Sequence, residues 1–115
     1  MAQISRKLRS VEGGGLMFWC PGCDGAHMVR VGEGLGPRWG YNGDADAPTF
    51  TPSVLVRGFD RLTDEERERV MAGEHVNPRP IVCHSLVVGG RIQFLGDCTH
   101  ALAGRTVDLP DWEAA

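Results

Sequence analysis

The sequence predicts a mainly β (α+β) fold: a small antiparallel sheet built of hairpins, stapled at one point, with one peripheral helix. Three observations predict it. Short apolar runs alternate with turn dipeptides such as Asn42-Gly43 and Gly89-Gly90, which is the punctuation of hairpins. A single capping box, Thr63-Asp64-Glu65-Glu66, marks the one helix start. Its Thr hydroxyl accepts from one orphan N–H while the Glu66 carboxylate accepts from another. Finally, Cys20-Pro21-Gly22-Cys23 has the form of a knuckle, a tight turn that aims two sulfurs at one point with backbone N–H groups facing them.

Length and composition bound the answer. The 115 residues suit a single domain, 1–115. Hydrophobic residues at 42% and charged residues at 23% are ordinary for a globular chain. A chain this short builds a thin core, so a metal staple would help it. The net charge of -3 and pI near 5.7 argue against a nucleic-acid partner. Arg6, Lys7 and Arg9 precede no apolar run of leader or membrane-span length. The expectation is therefore a cytoplasmic chain without a membrane partner. In that setting four cysteines read as metal ligands sooner than as disulfides.

Taken in order, residues 1–15 are a polar lead-in with a short strand at 6–11. Residues 16–19 enter the knuckle and 26–31 leave it, so 16–31 is a hairpin with the knuckle as its loop. Residues 32–37 turn, and 38–41 form a third strand closed by Asn42-Gly43. Residues 50–56 form a fourth, with Pro48 and Pro52 placing its start at a sheet edge. The helix runs from Thr63 to a C′ glycine at Gly73. Only Val70 and Met71 in it are strongly apolar, so it lies on the surface, within an excursion over 58–80. Residues 81–88 and 91–97 flank Gly89-Gly90 as a hairpin, and the tail ends in Trp112, which packs back as a plug.

The knuckle supplies two ligands, and tetrahedral zinc wants four. Cys83 and Cys98 could complete the set, and His27 could take the place of Cys98. An all-protein shell leaves no open position, so such a zinc folds the chain and does not catalyse. Three protein ligands plus water would instead make it catalytic. A redox reading of Cys-x-x-Cys lacks its βαβ setting. A zinc deaminase needs His-x-Glu, which none of His27, His84 and His100 provides, and His-Glu-x-x-His is absent.

The second chemical signal is Cys83-His84-Ser85 with Asp97-Cys98-Thr99-His100. A regular hairpin pairing Val88 with Arg91 sets Cys83 opposite Gly96 and Ile81 opposite Cys98. Side chains alternate between faces. Cys83, Ser85, Cys98 and His100 then share one face, while His84, Asp97 and Thr99 share the other. Cys83 and Cys98 become diagonal neighbours, roughly 7 Å apart at the backbone. Asp97 could orient the His84 imidazole and hold its tautomer. Ser85 points away from His84, so a serine for that pair must come from elsewhere, with Ser53 the first choice. The competing pair is Ser85 with His100. Against both stands a structural reading, with strand histidines and serines merely hydrogen-bonded.

The motifs Trp19-Cys-Pro-Gly-Cys23 with His27, Trp39-Gly-Tyr-Asn-Gly-Asp44, Pro48-Thr-Phe-Thr-Pro-Ser53, Cys83-His-Ser85 and Asp97-Cys-Thr-His-Ala-Leu-Ala-Gly104 resemble a small-protein family of bacteriophages and bacteria. That family often carries an "ammonia monooxygenase" label, and it is similar to the BubE-like peptidases of bacterial ubiquitin-like conjugation operons. The resemblance spans all but residues 1–14 and 58–79. It implies a zinc-stabilised hydrolase of serine type acting on a ubiquitin-like protein or its conjugates. It implies metal positions at Cys20, Cys23 and Cys83, and a polar set of Ser53, His84, Ser85 and His100. Family members with Asp-Ser-Thr-His at 97–100 imply that Cys98 is dispensable as a ligand, which favours His27. Tyr41 and Thr51 stand where the family usually has Trp and Ser. The oxygenase label finds no support, since a copper or iron site needs clustered histidines and these four are scattered. The alternative to the enzyme is a zinc-ribbon-like binding module with Trp39, Tyr41 and Phe50 as its contact patch.

Overall fold

The computed structural model describes residues 1–114 and contains two antiparallel sheets and one α-helix. The first sheet is a meander of β1 (Ala2–Gln3), β2 (Leu8–Val11), β3 (Gly15–Cys20) and β4 (Gly25–Arg30). The second has β5 (Gly40–Tyr41), β6 (Phe50–Phe59), β7 (Pro80–Val88), β8 (Arg91–Phe94) and β9 (Thr106–Asp108) in that order. No helix among the described residues is long and apolar enough to cross a membrane.

Alternation along the strands builds the core. Leu16, Phe18 and Cys20 of β3 and Val29 of β4 are buried, as are Cys83 and Val87 of β7 and Ile92 and Phe94 of β8. They join Leu8, Phe50, Val54 and Leu109 in one apolar cluster drawn from both sheets. Phe18 stacks on Phe50 at 6.0 Å between ring centroids, and Phe50 on Tyr41 at 5.4 Å. Each such buried aromatic contributes about 1.5–3 kcal/mol before packing terms.

Helix α1 (Asp64–Met71) has the capping box that the sequence encodes, with Glu66 N–H donating to Thr63 Oγ1 (3.1 Å) and Thr63 N–H to Glu66 Oε1 (2.8 Å). It buries no residue, which matches its polar sequence. The tail differs from expectation in adding a strand, β9, beside β8. Trp112 does pack back: its backbone N–H donates to the Arg6 carbonyl (2.9 Å), its indole N–H to the Lys7 carbonyl (3.0 Å), and its ring meets Trp19 edge-on.

Two irregularities position the site. In β6, Phe50 faces Val87 but Val54 faces Ser85, so residues 51–53 bulge opposite Leu86 alone. In the β7–β8 hairpin the regular register runs only from Val88↔Arg91 to Ser85↔Phe94. Leu95 N–H still reaches the His84 carbonyl (2.9 Å). Residues 96–98 then turn, and it is Thr99 that reaches the Val82 carbonyl (2.9 Å). The continuous hairpin expected through Asp97 is therefore broken, because Gly96-Asp97 makes a turn in place of a ladder.

Candidate functional site

Strand β7 carries two different constellations on its two faces. On the outer face, His84 pairs across the ladder with Leu55. Residues two apart share a face, so Ser53 lies on the same side and diagonal to His84. The bulge over residues 51–53 brings its hydroxyl to the imidazole: Ser53 Oγ donates to His84 Nε2 at 2.9 Å. The other ring nitrogen, Nδ1, donates to Asp97 Oδ2 at 3.1 Å. One imidazole thus bridges a serine hydroxyl and a carboxylate, with the proton on Nδ1 and a lone pair facing the hydroxyl. The Ser53 carbonyl is held by the Trp39 indole N–H at 3.3 Å.

Asp97 sits on an exposed turn, which Thr99 ties to Val82 and Cys98 ties to His84. The buried Cys98 thiol accepts from His84 N–H (3.2 Å) and donates to the His84 carbonyl (3.2 Å). The sulfur takes the place of a strand partner. Cys98, expected as a zinc ligand, is instead engaged with the backbone of His84 and lies outside the four-donor cluster described below. The broken hairpin register is the reason.

On the inner face, Cys83 meets Cys20 at 3.8 Å between sulfurs and His100 Nε2 at 3.5 Å. Cys20, Cys23, Cys83 and His100 bring four donor atoms within 4.8 Å of one another. Tetrahedral zinc with Zn–S near 2.3 Å and Zn–N near 2.0 Å needs separations of about 3.8 Å between sulfurs and about 3.5 Å from sulfur to nitrogen. The donor set fits such an ion. Cys23 N–H donates to Cys20 Sγ at 3.4 Å, the inward-facing amide that a knuckle provides. Asp24 leaves the turn at φ 51, a left-handed conformation that aspartate tolerates.

The thiols show the strain of sharing a site. Hydrogen bonding from Cys83, helped by His27 and the Cys23 amide against the cost of burial, pulls the Cys20 thiol down to about 4. Burial and the Cys20 charge push Cys23 up to about 11. The Cys20 bond, burial and the neighbouring thiolates push Cys83 up as well. One thiolate forms readily and opposes the next two, and a cation relieves that opposition.

His100 enters the cluster because position 22 is glycine. A Cβ there would lie 2.3 Å from His100 Cε1 and 2.4 Å from Nε2. The His100 ring Nδ1 accepts from Leu102 N–H at 3.2 Å. A metal on Nε2 would move the ring proton to Nδ1 and release that amide.

Two further residues belong to neither constellation, although His27 lies close enough to Cys20 to lower the pKa of its thiol. His27 is buried edge-on against Phe18, its Nε2 unpartnered, and lies outside the four-donor cluster. His100 stands where His27 or Cys98 was expected. Ser85 is fully buried on the inner face with its hydroxyl unpartnered, and it does not meet His100 among the described residues. The contributions of Gly22, of Trp39 to the Ser53 carbonyl, and of Cys98 to His84 were missed from sequence. The glycine inside Cys-Pro-Gly-Cys was the only visible signal.

A family model described as the bacterial ubiquitination-like system serine protease (BubE) matches residues 3–95. The chain belongs to that family. No curated protein and no solved structure matches it. Ser53, His84 and the three clustered cysteines fall within the matched span, while Asp97 and His100 lie just beyond it.

Proposed function

We propose that the protein is a serine peptidase that cleaves a ubiquitin-like protein at its C-terminal tail or from its conjugates, with a structural zinc ion. The observation that carries this reading is the His84 ring bridging Ser53 Oγ and Asp97. In the reaction, His84 Nε2 takes the Ser53 hydroxyl proton as Oγ bonds to the scissile carbonyl carbon. Collapse of the tetrahedral adduct breaks the bond to the leaving group, which receives that proton from Nε2. Water, deprotonated by the same nitrogen, then attacks the acyl-serine and frees the enzyme. Asp97 holds the Nδ1 proton and stabilises the imidazolium.

Cys20, Cys23, Cys83 and His100 would hold the zinc, whose chemistry is to bind three thiolates and an imidazole and so fold the chain. Cys83 adjoins His84, and His100 follows Asp97 by three positions. The residues that grip the ion thereby anchor both segments that carry the base and its carboxylate.

Incubating the zinc-loaded protein with a precursor of the ubiquitin-like protein tests the reading. Cleavage is expected, with Asp97→Asn slower on the order of 100- to 10,000-fold. No cleavage, or unchanged cleavage in Ser53→Ala and His84→Ala alike, sinks it.

A further inference from the structure

Beyond Thr51, the strand that carries Ser53 has an edge that no other strand among the described residues occupies. β5 pairs with β6 only at Phe50 and Thr51, while β7 lines the opposite side of β6 from Val54 to Phe59. In an antiparallel ladder the N–H and C=O of one residue point the same way, and the direction alternates along the chain. Asp60 N–H donates to the Arg79 carbonyl at 2.8 Å, on the β7 side. Residues 54, 56 and 58 share that sense. The Ser53 carbonyl instead faces Trp39 on the other side. Leu55, Arg57 and Phe59 follow Ser53, so their N–H and C=O groups point out from the sheet. Beyond the β6–β7 ladder, no hydrogen bond among the described residues engages the backbone groups of these three.

We propose that this edge receives the substrate: an extended peptide adds to β6 as an extra antiparallel strand. Its acyl-side residues lie along 55–59, and its scissile carbonyl arrives at Ser53. The proposal rests on the serine-peptidase reading and names how its substrate is held. The serine hydroxyl has the His84 ring on the β7 side, so the open approach for a carbonyl is from the free edge. The direction follows from β5, which pairs antiparallel with β6 on this same edge and leaves it beyond Gly40. A peptide in line with β5 and running in the same sense points its C-terminal end toward Ser53 and Trp39.

Main-chain pairing of this kind accepts a chain by its extended shape, with side chains read at alternate positions. Residues 55–59 span about 15 Å, enough for about five substrate residues. Leu55 and Phe59 are exposed on the outer face with Arg57 between them. They suit apolar substrate side chains flanking an uncharged or acidic one. The class of ligand is an unstructured peptide tail; a folded loop or helix lacks the unpaired backbone to complete the ladder.

The test uses the full chain carrying Ser53→Ala, so that substrate binds without turnover, and an N-acetylated ten-residue peptide copying the tail of the ubiquitin-like precursor. Amide exchange at Leu55, Arg57 and Phe59 should slow about tenfold or more on saturation, with Val54 and Val56 unchanged because they are already bonded. Peptides N-methylated one position at a time should lose affinity up to about tenfold at alternate positions and little at those between. Protection elsewhere, or N-methylation losses without alternation, overturns the proposal. Cleavage by Ser53→Ala at the wild-type rate would instead remove the serine reading, and the exchange pattern would still decide the edge.

Discussion

The two faces of β7 solve the same problem in opposite ways. Inward, Cys83 joins three donors where two thiols are fully enclosed, and the fold gathers groups that repel one another until a cation joins them. Outward, His84 joins two partners in an open setting, with Asp97 half exposed, and the groups satisfy one another without help. On the reading proposed above, the inner site would hold the chain together and the outer one would be free to react. Disturbing the first should therefore cost structure, and disturbing the second should cost only rate.

The largest effect that comparison predicts is on metal removal. Structural zinc contributes folding free energy on the order of 10 kcal/mol in small domains. Chelation with EDTA, or Cys83→Ser, should abolish the cooperative unfolding transition seen by circular dichroism and activity with it. Metal-free protein that melts as cooperatively as the loaded form would erase the distinction between the faces. Next comes Ser53→Ala, which should lower cleavage on the order of 10,000-fold or more while the melting temperature stays put. A matching loss of stability would mean that the hydroxyl is structural.

Gly22→Ala probes the inner face more gently, by pushing a methyl group into the His100 ring. Metal affinity should weaken by about 10–100-fold, measured by competition with a chromophoric chelator, and unchanged affinity would place His100 outside the ligand set. The smallest effect crosses between the faces. Cys98→Ala removes both thiol bonds to the His84 backbone and should lower kcat about tenfold with little change in KM, at about 1–3 kcal/mol for the unsatisfied groups. Cys98→Ser, which can make the same two bonds, should restore it. Equal rates in the two variants would show that the turn holds Asp97 unaided.

Much of this was legible in the sequence, and for identifiable reasons. Alternation along residues 81–88 is enough to separate Cys83 from His84, and it carries Ser85 away from the imidazole. The knuckle and the capping box are local, so their spacing reveals them. What escaped is what depends on irregular backbone. Extending the hairpin ladder past Phe94 placed Cys98 beside the cysteine cluster, whereas the turn at 96–98 ties its thiol to the His84 backbone and it is His100 that lies with Cys20, Cys23 and Cys83. The bulge over residues 51–53, which delivers Ser53, has no signature beyond Pro52. A strand at Thr106–Asp108 hid in a three-residue stretch too short to show a period.

Because Cys83 and His84 are consecutive, they are insulated by nothing more than one peptide plane. Adding a single amino acid between them would turn every later side chain of β7 to the opposite side, sending imidazole into the interior or sulfur out to solvent. Drift in this strand can thus proceed through substitution at positions such as Leu86 or Val88, while its length at that junction is frozen.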